Sequence, residues 1–255
     1  MAHPIRPGSE PVSFPGDRRG ALVLHGFTGA PPSVLPVATA LARAGFTVEV
    51  PLLPGHGTHV EDMAGIGFAD WVDAASSSFE KLRARCDSVV VAGLSMGGAV
   101  GLALASSGID VHGLAAINAP AVQPAEAMLQ MIREQIESGN ELFPAIQNDI
   151  AAPGVEEYGY DSVPLRSLMS LLDALPGVRA GVPQITCPTL VVHSVQDHVV
   201  DPATADVIAA ELGGPVERLV CERGYHVVTL DFDGPLVCDT VVDFATRVSE
   251  SVSVD

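Results

Sequence analysis

Val89–Val90–Val91–Ala92–Gly93–Leu94–Ser95–Met96–Gly97–Gly98 is the stretch on which the fold turns. Its first four residues are apolar and mostly β-branched, as in a strand buried on both faces of a parallel sheet. Met96 to Ala105 is a run of small and apolar residues suited to a buried helix. Between the two, Gly93–Leu94–Ser95–Met96–Gly97 has the form G-x-S-x-G, a strand-to-helix turn that carries a nucleophilic serine. A side chain at either glycine of so sharp a turn would strike the neighbouring element, and the serine itself must accept a strained backbone. The Ser95 hydroxyl is expected to project above the sheet edge, beside the positive end of the helix that follows. The uncharged run from Ser88 to Ile109 is also long enough to suggest a membrane span. Glycines at 93, 97, 98, 101 and 108, and the change of periodicity at Ser95, favour strand, turn and helix instead. No transmembrane segment is expected.

Outward from this turn, short β-branched runs alternate with helical segments, the signature of a parallel α/β sheet. Strands are predicted at 21–24, 46–52, 89–92, 111–117, 189–193 and 216–221. Helices are predicted at 33–43, 68–85, 202–212 and 235–248, the third with Pro202 near its first turn. The stretch 120–187 interrupts the alternation with two segments, 125–137 and 164–175, whose apolar residues recur at helical spacing. An insertion between two sheet strands belongs above the C-terminal edge of the sheet, where ligands bind in open α/β folds. Residues 20–119 and 188–249 are then expected to form the core, 120–187 a cap, and 1–19 an N-terminal extension.

A serine hydroxyl needs a base. His226 follows the last predicted strand on a loop that would rise at the same sheet edge. It also completes the chain order serine, acid, histidine expected of a strand–turn–helix nucleophile. His25, His56 and His59 precede the serine and read as structural or pocket-lining residues. The third member must orient the imidazole and stabilise the imidazolium that forms. Asp197, which lies 29 residues before His226 in Gln196–Asp197–His198–Val199–Val200–Asp201–Pro202, follows a predicted strand and fits this role. Asp201 directly precedes Pro202 at a helix start and fits a helix cap better, and His198 reads as a loop histidine. The tetrahedral intermediate needs donors for its oxyanion. The backbone N–H of Met96 is one candidate, and Phe27 in His25–Gly26–Phe27–Thr28–Gly29 is the other.

With 47% hydrophobic and 17% charged residues, the composition is that of a globular domain rather than a disordered chain. A net charge of −18, from 31 acidic and 13 basic residues, repels phosphate backbones and anionic headgroups. Nucleic acid is therefore not an expected partner. Cys86, Cys187, Cys221 and Cys238 show neither CxxC nor zinc-type spacing and are too sparse for a disulfide framework. Free buried thiols in a reducing compartment, and so a cytoplasmic protein, are expected. Residues 1–20 hold no apolar core of the kind a signal peptide needs. A monomer or weak homodimer is expected.

Five motifs taken together carry a resemblance. They are Leu24–His25–Gly26–Phe27–Thr28–Gly29, Pro54–Gly55–His56–Gly57–Thr58–His59, Gly93–Leu94–Ser95–Met96–Gly97–Gly98, Asp197–His198–Val199–Val200 and Tyr225–His226–Val227–Val228–Thr229–Leu230–Asp231. From about residue 20 to 247 the chain resembles bacterial monoacylglycerol lipases and, less closely, small bacterial carboxylesterases. The resemblance implies an α/β-hydrolase fold: a mostly parallel central sheet flanked by helices, with a small helical cap inserted before the last two strands. It implies hydrolysis of monoglycerides to glycerol and fatty acid, with no cofactor and no metal, and an apolar acyl tunnel beneath the cap. An asparagine near the strand below the cap and a carboxylate from the cap place the glycerol end in that family. The matching positions are Asn118 in Ile117–Asn118–Ala119–Pro120 and Asp161 in Tyr160–Asp161–Ser162–Val163–Pro164, where glutamate is the usual residue at the second. Asn118 reads equally as a strand-end turn residue and Asp161 as a helix N-cap. The same triad serves thioesterases and acyltransferases, whose specificity lies in cap and pocket. A homologue that had lost catalysis would only bind a ligand or partner, but here every triad position is filled.

Overall fold

Alternate residues of the central strands enter opposite hydrophobic layers, because successive side chains of a strand point to opposite faces. In the computed structural model, which describes residues 3–145 and 148–250, Val89 and Val91 join one buried cluster while Val90, Ala92 and Leu94 join the other. Leu22 and Leu24 alternate with Ala21 and Val23 in the same way. A strand buried on both faces has no polar side, which is why 89–92 reads as one apolar run.

Among the described residues, seven strands form the main sheet: β1 (Val12–Phe14), β2 (Arg19–Leu24), β3 (Thr47–Val50), β4 (Ser88–Leu94), β5 (Gly113–Ile117), β8 (Thr189–Ser194) and β9 (Val216–Cys221). Their spatial order is β1-β3-β2-β4-β5-β8-β9, parallel throughout except for β1 against β3. All six predicted strands are present. The N-terminal stretch read as an extension supplies β1 and the first residue of β2. At three residues β1 is too short to show a period, so its place came from pairing with β3 rather than from its own pattern.

Helices α1 (Leu35–Arg43) and α7 (Gly234–Glu250) cover one face through Val37, Leu41, Val241 and Phe244. The other face is covered by α2 (Phe68–Arg83), α3 (Met96–Ser106) and α6 (Ala203–Glu211). Trp71 of α2 is fully buried there, and its indole N–H donates to the carbonyl of Pro54 at 3.0 Å. This seats the 54–59 loop over the C-terminal edge of the sheet. Burying side chains of this size contributes roughly 1.5–3 kcal/mol each.

Between β5 and β8 lie α4 (Glu126–Glu137), a two-stranded antiparallel ribbon of β6 (Leu142–Pro144) and β7 (Ser162–Pro164), and α5 (Leu165–Gly181). Prolines at 144 and 164 hide the ribbon from sequence reading, because proline argues against a paired strand. Leu129 and Ile132 of α4 pack on Leu165 and Met169 of α5 in a small cluster of their own. Further along α5, Leu171, Leu175 and Val178 belong to the main core. The helix is thus shared between the insertion and the sheet, and it runs past 175 because its later turns also have an apolar face to bury. Among the described residues no helix is long and apolar enough to cross a membrane.

Candidate active site

Ser95 stands between β4 and α3 with φ 54° and ψ −121°. This is a conformation that a side-chain-bearing residue adopts only where its surroundings impose it. The imposing contacts are visible. A Cβ on Gly93 would lie 2.2 Å from the carbonyl oxygen of Gly97, and one on Gly97 would lie 2.3 Å from that of Leu24. Ser95 N–H donates to Ile117 at 2.8 Å, tying the turn to the end of β5. Its carbonyl accepts from Gly98 and Ala99 and so begins α3. Met96 is the first residue of that helix, so its N–H has no intrahelical carbonyl to meet and is available to an oxyanion.

Asp197 and His226 meet as the sequence predicts. Asp197 Oδ2 lies 2.7 Å from His226 Nδ1, with the two side chains 2% and 9% exposed. A carboxylate can only accept, so the imidazole carries its proton on Nδ1 and leaves Nε2 able to accept one. The other oxygen, Oδ1, accepts from the N–H groups of Val199 and Val200, both at 2.8 Å. The acid is therefore held by its own loop. Asp201 Oδ1 accepts from Ala203 N–H at 2.9 Å, at the start of α6, as a capping residue does.

The loop after β2 faces the serine, since a Cβ on Gly26 would lie 3.4 Å from Ser95 Cβ. His25 fixes this loop. Its Nδ1 donates to Gly26 O at 2.9 Å while Nε2 accepts from Leu53 N–H at 3.1 Å. Complete burial lowers its pKa to about 4, so the ring is neutral. His56 packs edge-on against His25 and Trp71, and burial likewise holds it well below the ordinary histidine range. Phe27 rests its ring edge-on against His56 and Trp71. His25 and His56 are thus structural, as expected. His59 caps the 3₁₀ turn at Val60–Met63 through Glu61 N–H.

For Asn118 the resemblance implies the glycerol end of a substrate and its position equally a strand-end turn, and the structure gives its amide partners within the protein. It is 3% exposed, with φ 45°. Nδ2 donates to His226 O at 2.7 Å and to Ser194 Oγ at 3.1 Å, while Oδ1 accepts from Ser194 N–H at 2.9 Å. Little of the amide is left for a ligand. Asp161, expected as the carboxylate of the insertion, is exposed and precedes β7. Glu157 is a carboxylate that the insertion does bring inward. Its Oε1 accepts from Ser33 Oγ at 2.8 Å. Burial raises its pKa, while the Ser33 hydroxyl and the charge of His226 act in the opposite direction. In sequence, Glu157 sits in a loop without periodicity and was not singled out; the resemblance pointed to Asp161, four residues away.

Asp149 was not singled out by sequence. Its side chain accepts from the backbone N–H groups of His226 and His198, at 3.0 and 3.2 Å, and pairs with His198 Nδ1 at 2.7 Å. Among the described residues, one group has donor atoms close enough to hold a metal ion: His3, His59 and Glu61, all exposed and none belonging to the constellation above. The four cysteines are free, and burial pushes the thiols of Cys221 and Cys238 up to about 12 and about 11.

Residues 17–233 match the family described as serine aminopeptidase, S33. A thermostable monoacylglycerol lipase of Bacillus sp. (strain H-257) is 38% identical over 249 residues, 96% of this chain and 97% of that protein. A carboxylesterase of Bacillus subtilis (strain 168) is 28% identical over 242 residues, 94% of this chain and 97% of that protein. A solved structure from work on two metagenome-derived lipolytic enzymes superposes with a TM-score of 0.92 at 34% identity. It covers 96% of this chain, which in turn covers 100% of it.

Proposed function

From its membership of the serine hydrolase family described as serine aminopeptidase, S33, to which the chain belongs, we propose that this protein is a carboxylic-ester hydrolase acting on monoglycerides. The observation that carries the chemistry is the buried Asp197–His226 pair at 2.7 Å, together with a serine held at positive φ on the turn after β4. Ser95 Oγ attacks the ester carbonyl as His226 Nε2 takes its proton. The oxyanion that forms is held by the N–H groups of Phe27 and Met96, each worth about 3 kcal/mol of barrier. Collapse expels the alcohol, which takes the proton from His226. Water, deprotonated by the same imidazole, then releases the acid from the acyl-enzyme.

The substrate class rests on the whole-length similarity to a protein named monoacylglycerol lipase, together with the character of the insertion. Residues 120–187 serve as a cap over the strand ends. Met128 and Met131 of α4 and Leu142 and Phe143 of β6 keep apolar surface open, suited to an acyl chain. Glu157 takes the role that sequence offered to Asp161, placing the glycerol hydroxyls. No cofactor is required. The free thiols fit a cytoplasmic protein, acting as a monomer or weak homodimer. The test compares kcat/KM for a monoglyceride, the methyl ester and the acyl-CoA of the same acid, and an aminoacyl anilide. The monoglyceride should lead. Preference for the thioester would favour an acyl-CoA thioesterase, and preference for the anilide a peptidase.

A further inference from the structure

The loops bearing Asp197 and His226 follow different strands, and a single bond between their side chains does not fix their backbones. Asp149, from the insertion, reaches both. Its Oδ2 accepts the backbone N–H groups of His226 at 3.0 Å and His198 at 3.2 Å. Its Oδ1 accepts from His198 Nδ1 at 2.7 Å, and its own carbonyl accepts from Val227 N–H at 3.1 Å. With the carboxylate only 10% exposed, water competes little for these bonds.

The segment around Asp149 is held in turn. Asp231, five residues beyond His226, accepts from Ala151 and Ala152 N–H at 2.7 and 2.9 Å and from Tyr225 N–H at 2.8 Å. Asn148, at φ 60°, bonds through its amide to Val155 O and Glu157 N–H. The backbone of His226 is consequently gripped from two sides. Its carbonyl is held by Asn118 at the end of β5, and its N–H by Asp149 of the insertion.

We propose that Asp149 is a positioning residue for the reaction described above, setting Asp197 against His226 by anchoring both loops to the insertion through one carboxylate. The inference rests on the assignment of Ser95, Asp197 and His226. Charge-assisted bonds to backbone N–H groups are among the stronger ones available to a protein. Loss of this anchor frees one end of the His226 peptide, and a misplacement of about 1 Å at a reacting group costs on the order of 100-fold in rate. The insertion then does more than cover the site, because the site is complete only when the insertion is seated.

The test uses the full chain and three readouts: kcat and KM on a methyl ester, the rate of fluorophosphonate labelling at Ser95, and the downfield proton resonance of His226 Nδ1–H. Asp149→Ala should lower kcat and the labelling rate about 10- to 100-fold while KM changes little. It should also broaden or remove the downfield resonance. Asp149→Asn keeps an acceptor oxygen for the two N–H groups and should recover most of the rate. If the alanine variant does not fold, Asp149→Glu replaces it, since the charge stays but the acceptor is displaced by a methylene. A folded Asp149→Ala protein that labels at the wild-type rate with an unchanged resonance overturns the inference, even if its melting temperature is lower. Wild-type protein that resists labelling overturns the assignment of Ser95, and the role of Asp149 falls with it.

Discussion

Asn118 Nδ2 donates to the carbonyl of His226 at 2.7 Å, so the residue that follows β5 holds the loop that carries His226. The bond is one of a lateral series. Ser95 N–H donates to Ile117 O, Asn118 N–H to Val192 O, and Ser194 Oγ to Tyr225 O. The ends of β4, β5 and β8 and the His226 loop are braced against one another in that order. The φ of 45° at Asn118 is what turns its amide across this line, and asparagine tolerates that region better than most residues.

Removing the brace affects every substrate alike. Asn118→Ala strips partners from His226 O and Ser194 N–H in a buried site, which costs roughly 2–4 kcal/mol of stability. The kcat for a methyl ester and for a monoglyceride should fall by the same factor. Parallel kinetics on the two substrates decide the matter, and a loss confined to the monoglyceride would return Asn118 to the glycerol end.

Ser95→Ala should reduce ester turnover on the order of 10⁴-fold or more, with the fold intact. Circular dichroism checks the fold, and fluorophosphonate checks the nucleophile. Covalent labelling that survived in the mutant would place the nucleophile elsewhere.

Two nearby aspartates should respond in opposite ways. Asp197→Asn leaves His226 without an obligate acceptor at Nδ1 and should lower kcat about 10⁴-fold. Asp201→Asn keeps a capping oxygen for Ala203 N–H and should change stability by about 1 kcal/mol or less. Steady-state kinetics on both variants give the comparison, and a larger rate loss at position 201 would reverse the assignment.

What could be read ahead of the structure follows from how local each signal is. The strand at 89–92, the turn at Ser95 and the helix after it are written in adjacent residues, and the structure has all three. The Asp197–His226 pair was legible because the fold imposes an order on triad members, whatever the distance between them along the chain. Asn118 came forward through the resemblance, as the asparagine of the glycerol end, but its partners lie 76 and 108 residues away, so its use could not be read from its position. Asp149 and Glu157 were missed for a related reason. Each sits in an aperiodic loop, and what marks them is contact with residues 77 and 124 positions distant. Sequence spacing does not encode such contacts. The ribbon of β6 and β7 was hidden by its own prolines.

The buried histidines make the fold acid-sensitive. His25 has a folded pKa of about 4 against an ordinary value of 6.5, so the unfolded chain binds a proton there first. Its contribution to stability is intact above about pH 6.5 and is lost as pH falls toward about 4, at a slope approaching 1.4 kcal/mol per pH unit. His56 adds in the same direction. Urea titrations at pH 7 and pH 5 should show the drop, and an NMR titration should find the His25 ring neutral at pH 5. A ring that titrates near 6.5 would contradict the role given to it.

Glu157 separates the monoglyceride reading from the broader esterase one. Its carboxyl is raised by burial, so the folded protein holds that proton more tightly than the unfolded chain does. Stability drawn from the protonated form is present below the ordinary glutamate range and is lost as pH rises through the folded value. Glu157→Gln removes that dependence, so the variant should gain stability relative to wild type as pH rises from 4 to 8, read by denaturation at both ends. The same substitution tests substrate choice. Glutamine still offers Ser33 an acceptor, but at a pH where the Glu157 carboxyl is ionised it presents glycerol hydroxyls with a neutral amide in place of a charge, and hydrogen bonds to charged groups are roughly twice as strong as neutral ones. The kcat/KM advantage of a monoglyceride over the matched methyl ester should therefore shrink severalfold in Glu157→Gln, while methyl ester hydrolysis persists. Asp161→Ala, at an exposed position, should leave the ratio as it is. If the ratio instead collapses in Asp161→Ala and holds in Glu157→Gln, the insertion presents the other carboxylate to the substrate. If neither variant alters the ratio, glycerol is recognised by neither acid.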